Sequence, residues 1–273
     1  MPEQAILKVP VTRFERNTGS EKTDFLALEE PLEISILYWK NAESIRKNIS
    51  ITMRTPGKDK ELAIGFLFTE GIIKNAKAIA DSEVISLNHI CIHLQKDAEL
   101  DLSKIERHFY TTSSCGVCGK SSIDAIKTLT PMHIIQDECT VNSQILYTLN
   151  AEVKQKQAVF ESTGGLHASA LFSVDGTLKY LFEDVGRHNA LDKLIGHAYT
   201  CGALPLNKQI LFLSGRASFE LIQKAVMAGI PLICALGAPS SLAVQLAEAF
   251  NITLVGFLKD KSFNVYSAAE RII

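Results

Sequence analysis

An α/β fold is what this sequence predicts, and three observations predict it. From Ile210 onward, short apolar runs, polar turns and amphipathic stretches follow one another as β-α-β-α-β, the pattern of parallel strands covered by helices. The first third instead alternates apolar and polar residues with period two around one helical stretch, as a small α+β unit does. Between the two lies a Gly-, Ser- and Thr-rich segment, residues 111–122, with almost no apolar side chain to bury. The expected organisation is an N-terminal α+β unit over 1–110, a mobile segment over 111–122 and a larger α/β unit over 123–273.

The elements follow in chain order. Met1 to Arg16 alternates polar and apolar residues and lacks the unbroken apolar core of a leader peptide. Leu32, Ile34 and Ile36 alternate with Glu33 and Ser35, and Ile49, Ile51 and Met53 with Ser50 and Thr52, so both runs read as half-buried strands. Pro56-Gly57 turns the chain into a helix over Lys58 to Thr69, with Gly71 as its stop. Residues 83–94 hold one or two strands, and 99–108 form a charged connection. Ser122 to Leu129 and Ser143 to Lys156 suit helices. Ala168 to Phe172 and Leu178 to Phe182 pair through an Asp175-Gly176 hairpin turn. The closing rhythm is a strand at Ile210 to Leu213 and a helix at Ala217 to Ala228. A strand at Leu232 to Ala235, a helix carrying Leu242, Leu246 and Phe250, and a strand at Ile252 to Phe257 complete it.

Composition excludes several classes of function. The chain has 273 residues, 47% hydrophobic and 21% charged, which suits a folded protein with a substantial core. A formal net charge of -2 gives no basis for binding nucleic acid. No apolar run approaches the roughly 18 residues that cross a bilayer, so a cytoplasmic protein with no membrane partner is expected. Six cysteines without a leader read as reduced thiols. Cys91, Cys139, Cys201 and Cys234 are scattered and read as packing residues. Cys115 and Cys118 are different, because glycines flank both and Lys120 follows to favour the thiolate.

That Cys-x-x-Cys pair supports three chemistries. A structural zinc site needs two more ligands, and only His93 and His108 offer themselves. A thiol–disulfide oxidoreductase places its first cysteine at a helix start after a strand, which the Ser/Thr-rich approach here does not match. In a persulfide relay, one thiolate accepts a sulfane sulfur and passes it on. Residue chemistry leaves redox and relay side by side with zinc behind, and no metal site is expected. Gly119-Lys120-Ser121 imitates the end of a P-loop, but Ser114 stands where its first glycine belongs. No His-x-Glu occurs, which excludes zinc deaminase chemistry.

Two further groups of residues carry candidate binding chemistry. In open α/β sheets ligands bind beyond the carboxyl ends of the strands. Those ends hold Ser214-Gly215-Arg216, Gly237-Ala238-Pro239-Ser240 and Leu258-Lys259-Asp260-Lys261-Ser262. Helix N-termini with Arg216, Lys259 and Lys261 would favour an anion such as a nucleotide diphosphate; ordinary turn chemistry explains the same residues equally well. The second group is Ser162 to His167 with Glu183 to Asn189, dense in ionisable residues beside apolar strands. It reads as a ligand cleft with His167, Arg187 and His188 as candidates, or as a hydrogen-bonded join between strand and helix.

Taken together, several blocks resemble the FdhD family of formate dehydrogenase accessory sulfurtransferases. They are Met53 to Gly71, Ser114-Cys115-Gly116-Val117-Cys118-Gly119, Thr163 to His167, Glu183 to Asn189 and Ser214 to Arg216, in family order over nearly the whole chain. The resemblance implies a sulfur carrier loaded by a cysteine desulfurase, with Cys115 bearing the persulfide and Cys118 as its partner. The sulfur then passes to a bis-molybdopterin guanine dinucleotide cofactor of molybdenum or tungsten, bound as substrate, before insertion into formate dehydrogenase. GDP is the expected analogue. The family's cofactor segment falls on Phe257, Leu258, Lys259, Asp260, Lys261 and Ser262, where Lys259 replaces an arginine often found there and loses the bidentate fork. A cytidine-deaminase-like α/β/α core and a homodimer are also implied. The competing functions are a thiol–disulfide oxidoreductase and a non-enzymatic molybdenum-cofactor chaperone.

Overall fold

The structure, a computed structural model, describes residues 5–74, 76–100 and 139–273. Strands β1 (Ile6–Glu15) and β2 (Thr18–Ala27) form an antiparallel ribbon of their own. Strands β3 (Glu30–Lys40), β4 (Glu43–Arg54), β5 (Ile79–Ser86) and β6 (His89–Leu94) make a sheet ordered β4-β3-β6-β5. Helix α1 (Asp59–Thr69) interrupts that sheet's chain path. Asp59 and Glu61 in its first turn favour the positive end of the helix dipole, and Gly71 (φ 69°) takes the left-handed turn just beyond its end.

The second half builds a six-stranded sheet. Its strands are β7 (His167–Ser173), β8 (Leu178–Asp184), β9 (Gln209–Leu213), β10 (Leu232–Ala235), β11 (Thr253–Lys259) and β12 (Ser262–Ser267), ordered β12-β11-β10-β9-β7-β8. The helices are α2 (Ser143–Lys156), α3 (Ala158–Thr163), α4 (Arg187–Thr200), α5 (Phe219–Ala228) and α6 (Ser241–Ala249). Strand periodicity divides the core. Ala170, Phe172, Ile210, Phe212, Leu232 and Cys234 face Leu146, Leu149 and Val153 of α2. Their neighbours Leu171, Leu211, Leu213, Ile233 and Leu254 face the other way, toward apolar residues of α4, α5 and α6. Helices cover both faces of a mixed sheet: β9, β10 and β11 are parallel, as the chain's rhythm predicts, while β12, β7 and β8 join by antiparallel pairing.

One apolar core then continues through α1 into Ile34, Ile36, Ile90 and Ile92 of the four-stranded sheet. Glycines let α1 and α4 approach backbone to backbone. A Cβ on Gly65 would overlap the Asp192 carbonyl, and one on Gly196 would overlap that of Glu61.

Several expectations need correction. The alternating N-terminus is a strand, and β2, β12, α3 and the full length of α4 are elements the pattern did not delimit. Helix α5 starts at Phe219 rather than Ala217, because Ala217 bridges to Pro239 in the neighbouring turn. Phe250 caps α6 from just beyond its end. The third strand runs past Phe257 to Lys259 and folds back into β12, with Lys259 opposite Ser262, so 258–262 is the hairpin joining the two. Cys91, Cys139 and Cys234 are buried, whereas Cys201 is exposed at the end of α4, its Sγ 3.7 Å from His197 Nε2. The helix expected at Ser122 to Leu129, Cys115, Cys118 and His108 lie outside the described residues.

Candidate functional site

Strand direction gathers the site at one edge of the six-stranded sheet. β9, β10 and β11 are parallel, so their carboxyl ends share that edge. β7 runs antiparallel to β9 and begins there, and β8, antiparallel to β7, ends there. From β8, β9 and β10 the chain enters α4, α5 and α6, which brings three helix N-termini to the same place. Each presents first-turn amides and the positive end of a dipole. Ser240 caps α6 by accepting from Ala243 N–H at 3.2 Å. No side chain caps α4 after Gly186 or α5 after Ser218.

The turns at this edge stack on one another through backbone contacts. Leu236 N–H donates to Leu213 O, Gly237 N–H to Gly215 O (2.9 Å) and Phe257 N–H to Gly237 O (3.2 Å). Gly237 is required by close approach, since a Cβ there would stand 2.9 Å from Arg216 Cγ. Ser214 is part of this framework: its hydroxyl accepts from Ala168 N–H at 2.7 Å.

Three predicted residues converge above that framework. His167 opens β7, with its ring against Gly215, whose Cβ would stand 3.3 Å from His167 Nδ1. Arg187 opens α4; its Nε is buried with no hydrogen-bond partner among the described residues. His188 Nε2 lies 3.3 Å from Ser218 Oγ and 3.9 Å from Glu220 Oε2. Burial, then the Arg187 charge, pushes the His167 imidazole below its usual range, with Asp184 opposing. Burial, Arg187 and Lys224 push His188 down to about 4. Both rings are therefore neutral at neutral pH, and Arg187 carries the local positive charge.

The remaining predicted residues continue the edge. Arg216, Lys259, Asp260, Lys261 and Ser262 are exposed. Phe257 is 43% exposed and holds φ 52°, a left-handed backbone that a bulky side chain rarely adopts. Leu258 is buried against the α2 side of the core and is not presented at the edge. Four inter-strand steps separate β11 from β8, or about 19 Å at ~4.8 Å per step. The edge is thus broad enough for an extended ligand rather than one small anion.

Beneath it lies wiring that the sequence did not disclose. Asp184, fully buried, pairs with Lys193 Nζ at 2.6 Å. It also accepts from the N–H of Thr55 (3.2 Å) and of Gly186 (2.8 Å). Lys193 donates to Thr55 O at 2.9 Å, and Asn189 Nδ2 donates to Met53 O at 2.7 Å. Deeper in the seam, Lys224 Nζ meets Asp192 Oδ2 (3.0 Å), Glu70 Oε1 (3.1 Å) and Thr69 Oγ1 (2.9 Å). Burial pulls this ammonium's pKa down, but the two carboxylates outweigh it and hold Lys224 charged. Arg54, almost fully buried, pairs with Asp59 at 2.9 Å. A sequence signal existed only for Asp192, Lys193 and Lys224, as charges inside apolar helix stretches, such as Asp192-Lys193 between Leu191 and Leu194.

His93, a candidate zinc ligand, lies on β6 with Nε2 3.2 Å from Glu83. No group of three or more metal-ligating side chains occurs among the described residues. No helix among them is long and apolar enough to cross a membrane.

Comparison with known proteins fits this geometry. A family model described as the FdhD/NarQ family matches residues 27–273. A Mycolicibacterium paratuberculosis protein named sulfur carrier protein FdhD is 44% identical over 96% of this chain and 97% of its own. A protein of the same name from Sulfurisphaera tokodaii is 40% identical, with 98% and 99% covered. A crystal structure from Desulfotalea psychrophila, described as a formate dehydrogenase accessory protein, covers 98% of this chain and all of its own. It superposes with a TM-score of 0.76 at 24% identity, a likeness of fold. With its motif blocks in order and its strand-end edge in place, the chain belongs to the FdhD/NarQ family.

Proposed function

We propose that this protein is a sulfur carrier that serves formate dehydrogenase by persulfide relay. In this reading Cys115 attacks the terminal sulfur of a cysteine desulfurase persulfide. A new S–S bond forms on Cys115, the donor's S–S bond breaks, and the donor leaves as its thiolate, with no net oxidation. Cys118 then displaces that sulfur as hydrosulfide, and the two cysteines close a disulfide that a dithiol reductant reopens. The hydrosulfide is delivered to the metal of a molybdenum or tungsten bis-molybdopterin guanine dinucleotide, which is bound as cargo. The cytidine-deaminase-like description of the core and a cytoplasmic setting belong to the same proposal.

One observation carries the cargo half of this reading: the buried Arg187 Nε, which has no partner among the described residues, beside two helix N-termini that none of those residues' side chains cap. A buried guanidinium N–H without an acceptor is costly, and a phosphate oxygen satisfies it together with the first-turn amides. His167 and His188, neutral here, can donate or accept beside it without competing for the anion. Arg216, Lys259 and Lys261 extend the positive field along the edge. A long, doubly nucleotidyl ligand suits an edge of that breadth.

Two measurements test the two halves. After exposure to a cysteine desulfurase and cysteine, intact mass should rise by one sulfur, removable by reductant and absent in Cys115→Ala. A loss of two hydrogens never preceded by a sulfur-laden species, in the wild type or in Cys118→Ala, would replace the relay with disulfide exchange, and no covalent change would leave a chaperone. Titration with GDP should show binding that Cys115→Ala preserves; loss of both functions together would overturn separate sites.

A further inference from the structure

Two helices at the strand-end edge begin with a serine, and the two serines behave differently. Ser240 (φ -81°, ψ 159°) and Ser218 (φ -91°, ψ 165°) hold nearly the same extended N-cap backbone. Ser240 Oγ accepts from Ala243 N–H at 3.2 Å and closes the first turn of α6, as serine at that position ordinarily does. Ser218 makes no such bond to α5. Residue type and backbone being equal, the cause lies in what surrounds Ser218.

That cause is His188. Its Nε2 stands 3.3 Å from Ser218 Oγ, whereas Glu220 Oε2, at 3.9 Å, is beyond hydrogen-bond distance. A neutral imidazole can accept the hydroxyl proton or donate to its oxygen, and either role holds that oxygen away from the helix. The first intrahelical bond of α5 runs from Ile222 N–H to Ser218 O at 3.2 Å. The N–H groups of Phe219, Glu220 and Leu221 therefore have no carbonyl partner within the helix, and the serine that would serve one of them is turned elsewhere.

Helix α4 reaches the same condition by another route, since its N-cap is Gly186, which has no side chain to offer. Its first residue is Arg187, whose buried Nε has no partner among the described residues. The Arg187 charge acts on both His167 and His188, and His167 lies against Gly215 in the turn that leads to α5. Helices α4 and α5 are thus an open pair around one buried donor, while α6 beside them is closed.

We propose that His188 is a positioning residue that acts through Ser218: by holding that hydroxyl off α5, it keeps the first-turn amides of the helix open to a phosphate group of the ligand. The phosphate then sits between α4 and α5 and not over α6. This role rests on the cargo reading of the edge and specifies which amides take the anion. A phosphate has to displace whatever already caps those amides, so a serine free to cap α5 competes with the ligand. The device is a cap withheld from its own helix.

Calorimetric titration with GDP and with pyrophosphate tests it. His188→Leu frees Ser218 to cap α5 and should weaken both ligands by about 3- to 10-fold, the worth of a serine cap. Adding Ser218→Ala removes the competitor, so the double variant should recover the affinity, which Ser218→Ala alone should not lose. His188→Gln, whose amide can hold the same hydroxyl, should restore most of it as well. A double variant as weak as His188→Leu, a loss of affinity in Ser218→Ala alone, or a loss confined to GDP would make one of these side chains a direct ligand contact and overturn the positioning role. Should His188→Leu misfold, amide exchange of the wild type decides. Saturating GDP should slow exchange at Glu220 and Leu221 and leave the capped Ala243 amide unchanged; GDP binding without that response overturns the proposal. A wild-type chain that binds neither ligand overturns the cargo reading, and this role with it.

Discussion

The seam between α1 and α4 and the edge at the strand ends are built from the same residue types, yet they differ in one respect. In the seam every buried cation has its anion: Lys193 has Asp184, Lys224 has Asp192 and Glu70, and Arg54 has Asp59. At the edge the balance is positive. Arg187 keeps a buried Nε without a partner among the described residues, and Arg216, Lys259 and Lys261 project into solvent. Buried charge is tolerated where it is paired, so the seam is structural. A buried donor left unpaired beside helix N-termini is what the proposed anion site requires. Pairing, more than residue type, separates scaffold from site.

The largest effect that could break this distinction is in the seam. Asp184→Ala strands the Lys193 ammonium in the interior, and chemical denaturation should show a loss of about 3–5 kcal/mol. Asp184→Asn combined with Lys193→Met removes both charges and should recover a large part of that loss. A double variant as unstable as Asp184→Ala would mean that the hydrogen bonds to Thr55 and Gly186, not the charge pair, hold the join.

Next comes the close approach of the two helices. Gly196→Ala drives a methyl into the Glu61 carbonyl, which neither helix can avoid without sliding. A destabilisation of about 1–3 kcal/mol or more is expected by the same denaturation measurement. An unchanged midpoint would show that α1 and α4 can separate freely. The edge should answer differently: Arg187→Gln should leave stability nearly unchanged while weakening GDP binding by about 10- to 100-fold, the value of a charge-assisted hydrogen bond. Calorimetric titration reads the affinity. A large stability loss with unaltered GDP binding would move Arg187 into the seam.

The pH response sharpens the comparison further. His188 is neutral in the folded chain because its pKa sits at about 4, below the 6.5 of an ordinary imidazole. Between those values the unfolded chain binds a proton that the native chain refuses, so stability falls as pH drops from 6.5 toward 4 and levels off below. The groups facing His188 are Arg187, Lys224, Glu220 and Glu70. His188→Gln should flatten this window in a pH series of thermal unfolding. A slope that persists unchanged would assign the window to other groups.

How much of this was legible beforehand depends on whether the information was local. The strands with clean period-two or all-apolar runs, and α1 and α2 with their apolar spacing, could be read from neighbours alone. The edge at the strand ends followed from the β-α-β order, because parallel strands put their carboxyl ends together. The ribbon was only half legible: Met1 to Arg16 alternates, but Thr18 to Ala27 is exposed almost throughout and carries no apolar period. Strand β12 was not legible, because whether the chain continues or reverses after Phe257 depends on what it can pair with. The Thr55–Asp184–Lys193 wiring joins residues more than a hundred positions apart, and no local pattern encodes such a pairing. Asn189 and Asp184 were nonetheless read as possible fixtures of a strand-to-helix join, and that is the part they take.

The smallest expected effect concerns Phe257, where edge and scaffold meet. Its left-handed backbone costs about 1–2 kcal/mol relative to an unstrained position, and its exposed ring returns little of that by burial. Glycine carries no such penalty, although its greater freedom in the unfolded chain offsets part of the gain. Phe257→Gly should therefore stabilise the protein by at most about 1 kcal/mol. If the ring belongs to the cargo site, the same variant should bind GDP more weakly, while pyrophosphate, which has no base to contact, should bind as before. Stability and nucleotide affinity moving in opposite directions would place Phe257 with Arg187 among residues whose cost is met by a ligand. Movement in the same direction would return it to the scaffold, alongside Leu258.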